Sequence, residues 1–247
     1  SLFHFFMIPK TIHYCWFGGK PLPPLAIKCL ESWNKYLPDY EIIEWNESNF
    51  DVNSNKFIRE AYSLKKYAFV SDFVRVYALY NFGGIYLDTD VEVFKSFDDF
   101  LKEESFWGFE EKNRIATSTI GCKKGNELIK EFLDSYENKS FISEDGEIDI
   151  TPNVCKITEL MVKHGAVLNG KYQKIDGLAT IYEQEYFSPY DYINCYMKKT
   201  RNTYAVHHFY KSWVSLRARI KSNIKIIVAK VIGGDKVARM REYLNKS

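Results

Sequence analysis

The chain has 247 residues, of which 46% are hydrophobic and 17% aromatic, and its formal net charge is +2. This length and composition can bury one substantial core, so they favour a single domain over two. Its five cysteines are widely spaced and form no C-x-x-C pair, which excludes a disulfide framework and a cysteine zinc site and predicts a reducing cytoplasm. The sequence also contains no run of about 20 apolar residues that would predict a transmembrane helix.

The first predicted elements alternate between strands and helices, which is typical of an α/β fold. A strand is predicted over Ile8–Trp16, and a Gly- and Pro-rich loop at residues 17–24 leads into a helix that ends near Tyr36. Residues 41–45 predict the next strand, before a turn at residues 46–49.

A mostly buried helix is predicted over Phe69–Phe82, where nearly every residue is apolar or aromatic, and the glycine pair that follows would stop it. Asp72 and Arg75 are its only charged residues. Because they are three positions apart, they share one face of the helix, where they can pair with each other or project together into a cleft.

Two carboxylates follow the short apolar strand predicted at residues 85–87, namely Asp88 and Asp90. Adjacent acids at a partly buried site repel each other, so a folded chain needs a cation to offset that cost. Asp oxygens are hard ligands that favour Mg²⁺ or Mn²⁺ and leave coordination positions open for substrate phosphates. A solvated acidic turn is the alternative interpretation of a bare D-x-D.

The remaining chain predicts further strands and helices around a polar loop at residues 137–151. Beyond residues 91–94, where strand alternation resumes, the predicted elements are strands at residues 106–110 and 115–122, helices at residues 126–136 and 152–163, and a short apolar strand that ends at His207 and His208.

The run SDFVRVYALYNFGGIYLDTD resembles the core of the sugar-binding D-x-D glycosyltransferases, which include fungal mannosyltransferases, bacterial capsular-polysaccharide transferases and, more distantly, clostridial glucosylating toxins. Asp72, Arg75, Tyr86, Asp88 and Asp90 match the family pattern position by position. The resemblance implies that Asp72 accepts hydrogen bonds from sugar hydroxyls, that Arg75 contacts sugar or phosphate, and that the two acids of the D-x-D bind the metal.

Two further blocks resemble the same family. IPKTIHYCWFGG resembles its first strand, which implies that Trp16 stacks on the nucleotide base. TYAVHHFYKSW resembles its closing loop, which implies a metal ligand in His208 rather than His207 and diphosphate contacts from Ser212 and Trp213. Pattern alone favours a core position for Trp16 over a base platform, and only the resemblance favours the base platform.

The resemblance implies a single GT-A-type, Rossmann-like nucleotide-sugar-binding domain at residues 7–213, followed by a basic helical extension at residues 214–247. It also implies a metal-dependent, retaining hexosyltransferase that uses Mn²⁺ or Mg²⁺, a nucleotide-sugar donor, preferably a UDP-sugar, and a glycan or lipid-linked acceptor. We expect a bacterial enzyme of capsule or surface polysaccharide synthesis, with no nucleic-acid partner. No nucleophile is assigned; Glu110 and Glu111 are acidic candidates near a strand end.

The segment at residues 211–247 holds ten Lys or Arg against two acidic residues, a balance of +8. Basic residues alternate there with Ile and Val at helical spacing, as in amphipathic helices on anionic membranes. This pattern predicts either peripheral contact with the inner face of the plasma membrane or a packed terminal helix with a solvated basic face.

Two competing functions remain at this stage. Aspartate-nucleophile phosphatases also place D-x-D after an apolar strand, but their motif lies near the chain start and is followed by Thr or Val where this chain has Glu92. A non-catalytic nucleotide-sugar or carbohydrate-binding protein would keep the same cleft without turnover.

Overall fold

A computed structural model describes residues 7–191 and 196–209 of the chain. The predicted roles of Ser212 and Trp213, the boundary at residue 214 and the basic tail therefore lie outside the described residues. Within the described ranges, no helix combines the length and the apolar character that crossing a membrane requires.

A central mixed sheet contains eight of the described strands, in the order β2-β1-β3-β7-β5-β9-β8, with β6 paired to β5. Two small two-stranded sheets pair β10 with β11 and β12 with β4. The strands are β1 (Thr11–Cys15), β2 (Glu41–Trp45), β3 (Gly84–Leu87), β4 (Val91–Val93), β5 (Ser105–Glu111), β6 (Arg114–Ile115), β7 (Thr119–Cys122), β8 (Gln173–Ile175), β9 (Ala179–Tyr182), β10 (Tyr190–Asp191), β11 (Tyr196–Met197) and β12 (Ala205–His207).

Helices cover both faces of the sheet and bury two apolar clusters against it. One cluster includes residues of α2, α3, α4 and α5, and the other includes residues of α1 and α6. The described α-helices are α1 (Pro24–Tyr36), α2 (Lys56–Ser63), α3 (Tyr67–Phe82), α4 (Glu127–Asp134), α5 (Asn153–Lys163) and α6 (Gln184–Phe187).

The strand directions bring several strand ends to one edge of the sheet. β3 runs parallel to β1 and antiparallel to β7, and β5 also runs antiparallel to β7. The carboxyl ends of β1, β3 and β5 therefore share an edge with the amino end of β7. This edge carries Trp16, Asp88 and Glu110, and we call it the acidic edge.

The predicted elements are confirmed with small shifts of their bounds, except for the strand predicted at residues 115–122. Two strands, β6 and β7, take its place. The strand is interrupted at residues 116–118, where the backbone makes other hydrogen bonds. The Ala116 amide donates to the Gly108 carbonyl. The Thr117 carbonyl accepts from the Arg75 side chain, and the Ser118 carbonyl accepts from the Asp88 amide. These last two contacts belong to the candidate site.

Helix α2 was not predicted, although the sequence carries a signal for it. The Asn55 side chain caps the helix by accepting hydrogen bonds from the amides of Phe57 and Ile58, which is the usual role of Asn at a helix start.

Candidate active site

The site is built where β3 delivers Asp88 to the acidic edge. Side chains alternate between the two faces of a strand, and Ile85 and Leu87 pack in the apolar cluster that includes α1, whereas Tyr86 packs in the one that includes α3. Asp88 lies two positions after Tyr86, so it continues on the α3 side. The Tyr86 hydroxyl donates to Asp88 Oδ1 over 3.0 Å.

Arg75 connects α3 to this loop and is only 5% exposed. Its Nη2 lies 3.0 Å from Asp72 Oδ1 and 3.1 Å from Asp88 Oδ1, and its Nη1 donates to the Thr117 carbonyl over 2.8 Å. The guanidinium carbon also lies 4.5 Å from the centre of the Tyr86 ring, in a cation–π contact. Of the two arrangements left open by the sequence, Asp72 and Arg75 adopt the ion pair, and Asp88 shares the same cation.

Burial and charge act in opposite directions on this network. Burial raises the pKa of Asp72 to about 6, although Arg75 lowers it in part. Burial disfavours the charged guanidinium of Arg75, but Asp88 and the other groups beside it raise its pKa overall. Burial also raises the pKa of Tyr86 well above its ordinary value. Arg75 is therefore a fixed positive charge between the carboxylates of Asp72 and Asp88.

A second group of ligands forms where β12 pairs with β4. Donor atoms of Asp88, Asp90 and His207 all lie within 4.8 Å of one another, and His207 Nε2 is 3.3 Å from Asp90 Oδ1. The structure thus brings His207 to the two acids, whereas the family resemblance favoured His208.

His208 points to a different partner. Its Nε2 lies 2.9 Å from Glu92 Oε2, and the same oxygen pairs with Lys28 Nζ at 2.9 Å. The backbone explains the division, because the His208 amide donates to the Asp90 carbonyl and fixes the register of the two histidines against the loop. Because successive side chains of a strand point to opposite faces, only one of the two histidines can face the acids. Which histidine does so depends on that register.

The Asp88–Asp90–His207 cluster suits a divalent cation. His207 Nε2 is the ring nitrogen that lies beside the acids, whereas Nδ1 is buried and has no hydrogen-bond partner among the described residues. Two carboxylates and one imidazole are oxygen and nitrogen donors that Mn²⁺ and Mg²⁺ accept. Burial alone would lower the pKa of His207, but Asp90, Asp88 and Glu110 raise it to about 9, so without a cation the imidazole carries a proton.

The other predicted site residues take distinct places. Trp16 is partly buried directly after β1, and its indole Nε1 donates to the Lys20 carbonyl, so it lies at the acidic edge and its role as a base platform stays a prediction. Glu110 is the last residue but one of β5, at the same edge, where burial raises its pKa although His207 lowers it in part. Glu111 has a buried oxygen, Oε1, without a partner among the described residues.

Residues 23–107 match the family of the glycosyltransferase sugar-binding region containing a DXD motif. The resemblance predicted from the sequence is confirmed. The matched stretch contains Asp72, Arg75, Tyr86 and both acids of the D-x-D, whereas His207 lies beyond it.

Two curated relatives match part of the chain. The chain is 27% identical over 173 residues to the Subversion of eukaryotic traffic protein A of Legionella pneumophila, across 56% of this chain and 26% of the relative. It is 26% identical over 138 residues to inositol phosphoceramide mannosyltransferase 3 of Schizosaccharomyces pombe, across 54% of this chain and 38% of the relative. The chain thus spans well under half the length of either relative.

Among solved structures, the PaToxG glycosyltransferase superposes with a TM-score of 0.52 at 19% identity, over 64% of this chain and 70% of that one. At this identity the likeness concerns the fold. The described domain is α/β with a central mixed sheet and a GT-A-type architecture, as predicted.

Proposed function

We propose that this chain is a metal-dependent glycosyltransferase that moves a sugar from a nucleotide diphosphate sugar, preferably a UDP-sugar, to a hydroxyl of a glycan or lipid-linked acceptor. The observation that carries the proposal is the convergence of Asp88, Asp90 and His207 within 4.8 Å. Both aspartates and the neighbouring Asp72–Arg75 pair lie inside the matched DXD sugar-binding region.

In this proposal Asp88, Asp90 and His207 hold Mn²⁺ or Mg²⁺. When bound, such a cation offsets the negative charge that develops on a departing diphosphate. Arg75 stays charged beside the leaving group, and its rigid hydrogen bonds keep it in place without reorganisation during the reaction. Asp72, which pairs with the same Arg75 nitrogen as Asp88, accepts hydrogen bonds from sugar hydroxyls and orients the ring.

Retention of the anomeric configuration is part of the proposal and comes from the family resemblance. A front-face displacement, in which the departing phosphate takes the acceptor proton, requires no protein nucleophile. If the reaction used a protein nucleophile, Glu110 would be the acidic candidate at the same edge, where burial raises its pKa.

The direct test is cleavage and transfer from UDP and GDP sugars in Mn²⁺, in Mg²⁺ and in chelator. One relative is named as a mannosyltransferase, so mannosyl donors belong in the panel. We expect metal-dependent release of one nucleotide, lost in Asp88→Ala and in Asp90→Ala. Asp176→Ala is the control, because Asp176 is an exposed carboxylate in the turn before β9, at the opposite edge of the sheet.

Metal-dependent binding without turnover, with every acceptor class supplied, would favour the alternative of a non-catalytic carbohydrate-binding protein. An absence of metal-dependent nucleotide binding would overturn the site assignment itself.

We also propose a cytoplasmic enzyme, in bacterial surface polysaccharide synthesis, whose basic tail contacts an anionic membrane. Support comes from the +8 balance of residues 211–247. Sedimentation with vesicles containing phosphatidylglycerol should fall when residues 214–247 are removed, and equal sedimentation of both proteins would contradict it.

A further inference from the structure

A polar cavity opens where α5 begins. It has a volume of about 140 Å³, and Tyr136, Lys139, Asn153 and Lys156 are among its lining residues. A water molecule occupies about 30 Å³ in the liquid, so the cavity has room for a group as large as a phosphate or a carboxylate.

The most informative atom of this cavity is Nδ2 of Asn153. The side chain is only 6% exposed, and its Oδ1 accepts a hydrogen bond from the Thr117 hydroxyl over 2.8 Å. Nδ2 has no hydrogen-bond partner among the described residues. A buried amide that leaves its donor unused is costly, and a bound acceptor atom would remove that cost.

The charges around the cavity favour a negative ligand. Lys139 and Lys156 both line it, and one carboxylate, that of Asp149, pairs with Lys139 at 2.9 Å. Lys139 is also held over the rings of Phe57 and Tyr136, at 5.0 and 5.4 Å from their centres.

The first turn of α5 adds a partial positive charge. The helix has 11 residues, its N-cap is Pro152, and no side chain caps its amides. Free amides at a helix N-terminus attract anions.

Direct contacts join the cavity to the candidate active site. Thr117 contacts both sites. Its hydroxyl donates to Asn153 Oδ1, and its carbonyl accepts a hydrogen bond from Arg75. Tyr136 packs against Phe73, the neighbour of Asp72 in α3, with ring centres 5.4 Å apart. The charge of Lys139 also reaches Asp72 and lowers the pKa of that carboxyl, against the larger effect of burial.

We propose that this cavity binds an anionic group, phosphate or carboxylate, carried by one of the two sugars that the enzyme brings together. The proposal rests on the proposed function, because the Asp72–Arg75 pair is where the transferred sugar would lie. The proposal adds that either the transferred sugar or its acceptor carries a negative charge. Asn153 Nδ2, Lys139 and Lys156 are the groups that select this anion.

The first test uses inorganic phosphate as the probe, in chelator, so that binding at the metal cluster does not contribute. Amide NMR spectra of the full chain should show saturable shifts in the first turn of α5 and in the Asn153 side-chain amide. Asn153→Asp keeps an oxygen for the Thr117 hydroxyl but replaces the donor with a negative charge, so it should weaken binding by about tenfold or more. Lys156→Gln should weaken it by about threefold.

Lys163→Gln is the matched control, because Lys163 lies in the last turn of the same helix and pairs with Glu131. It should leave phosphate binding unchanged. An absence of shifts at α5, or equal affinity in wild type, Asn153→Asp and Lys156→Gln, would overturn the proposal.

The second test identifies which sugar carries the anion. UDP-glucuronate that displaces phosphate from the cavity, where UDP-glucose does not, would place the anion on the donor. Glucose 6-phosphate that displaces it, where glucose does not, would place the anion on the acceptor. Phosphate that neither charged sugar displaces would overturn the assignment to a substrate sugar.

The two proposals can fail separately. Metal-dependent donor cleavage with no anion binding at α5 would leave the proposed function standing without this cavity. Anion binding at α5 with no metal-dependent nucleotide binding would refute the proposed function alone.

Discussion

Arg75 is the residue on which the charge balance of the site depends. It is buried against Asp72 and Asp88 and holds the Thr117 carbonyl. Replacing it with Leu would leave two carboxylates buried beside each other without a cation. We expect Arg75→Leu to lower the free energy of unfolding by about 3–5 kcal/mol, the usual loss when one partner of a buried ion pair is removed.

Urea unfolding at pH 7 measures this change. Arg114→Leu is the control, because Arg114 is exposed on β6 and should change stability by no more than about 0.5 kcal/mol. Equal stabilities for the two variants would mean that Arg75 is not the counter-ion of the site.

His207 links metal binding to pH. Its pKa is raised to about 9, and a metal ligand must be the neutral imidazole. Below that pKa a cation must displace a proton, so the affinity for Mn²⁺ should rise by up to about tenfold per pH unit between pH 6 and 8. Calorimetric titration at three pH values measures the slope, and His207→Asn should flatten it.

His208→Gln is the control for that slope, because His208 bonds Glu92 rather than the two acids. A slope that His208→Gln removes and His207→Asn preserves would reverse the assignment of the two histidines. Protonation of His207 also affects the stability of the metal-free protein. Because its pKa in the folded state is raised above the ordinary 6.5, the protonated imidazole stabilises the fold fully below pH 6.5. This stabilisation is lost as the pH rises through about 9.

At the scale of elements, the junction between α3 and β3 depends on glycine. Gly84 has a φ of +102°, and a Cβ there would lie 2.6 Å from the Thr11 carbonyl oxygen on β1. Gly84→Ala should therefore cost more than the about 1–2 kcal/mol of a left-handed backbone alone, because the added atom also meets a fixed backbone. Loss of thermal stability and of metal affinity together would show that the junction sets the position of Asp88.

Gly19→Ala separates conformational strain from steric clash. Gly19 also has a positive φ, +64°, but a Cβ there would have nothing within 4 Å. We expect it to cost only the backbone term, as measured by urea unfolding. Equal losses at Gly19 and Gly84 would mean that the contact with Thr11 contributes nothing.

The elements also show what a sequence can and cannot predict. The face shared by Asp72 and Arg75 follows from helix periodicity, and the place of Asp88 follows from the apolar strand before it. The partner of Asp90 does not follow from local pattern, because His207 reaches it only through the antiparallel pairing of β12 with β4. A shift of one residue in that pairing would exchange the two histidines.

Across the whole molecule, the α/β alternation and the order of the early elements were predictable because each one carries its own periodicity and breakers. The interruption between β6 and β7 was not predictable, because there the Thr117 and Ser118 carbonyls accept hydrogen bonds from residues that are distant in sequence. Asn153 was likewise not identified as a site residue, because only the folded structure shows that its amide donor has no partner.

Ligands that bind only the folded chain should stabilise all of it. Mn²⁺ and UDP, each at about 100 times its dissociation constant, would each add about 2.7 kcal/mol, or about 5–10 °C per ligand in the unfolding midpoint of a domain of this size. Thermal unfolding followed by circular dichroism measures the shift. Asp90→Ala should abolish it and Asp176→Ala should keep it; a shift that survives Asp90→Ala would place the metal elsewhere.

The pairing of β12 with β4 has a consequence for how the protein is made. His208 and Glu92 contact each other across 116 positions of sequence, and His207 joins the acids through the same pairing. A ribosome that has completed β9 has already released both aspartates, but the imidazole that completes the cluster has not yet been synthesised. The nascent chain therefore has an incomplete metal site until β12 has emerged from the exit tunnel.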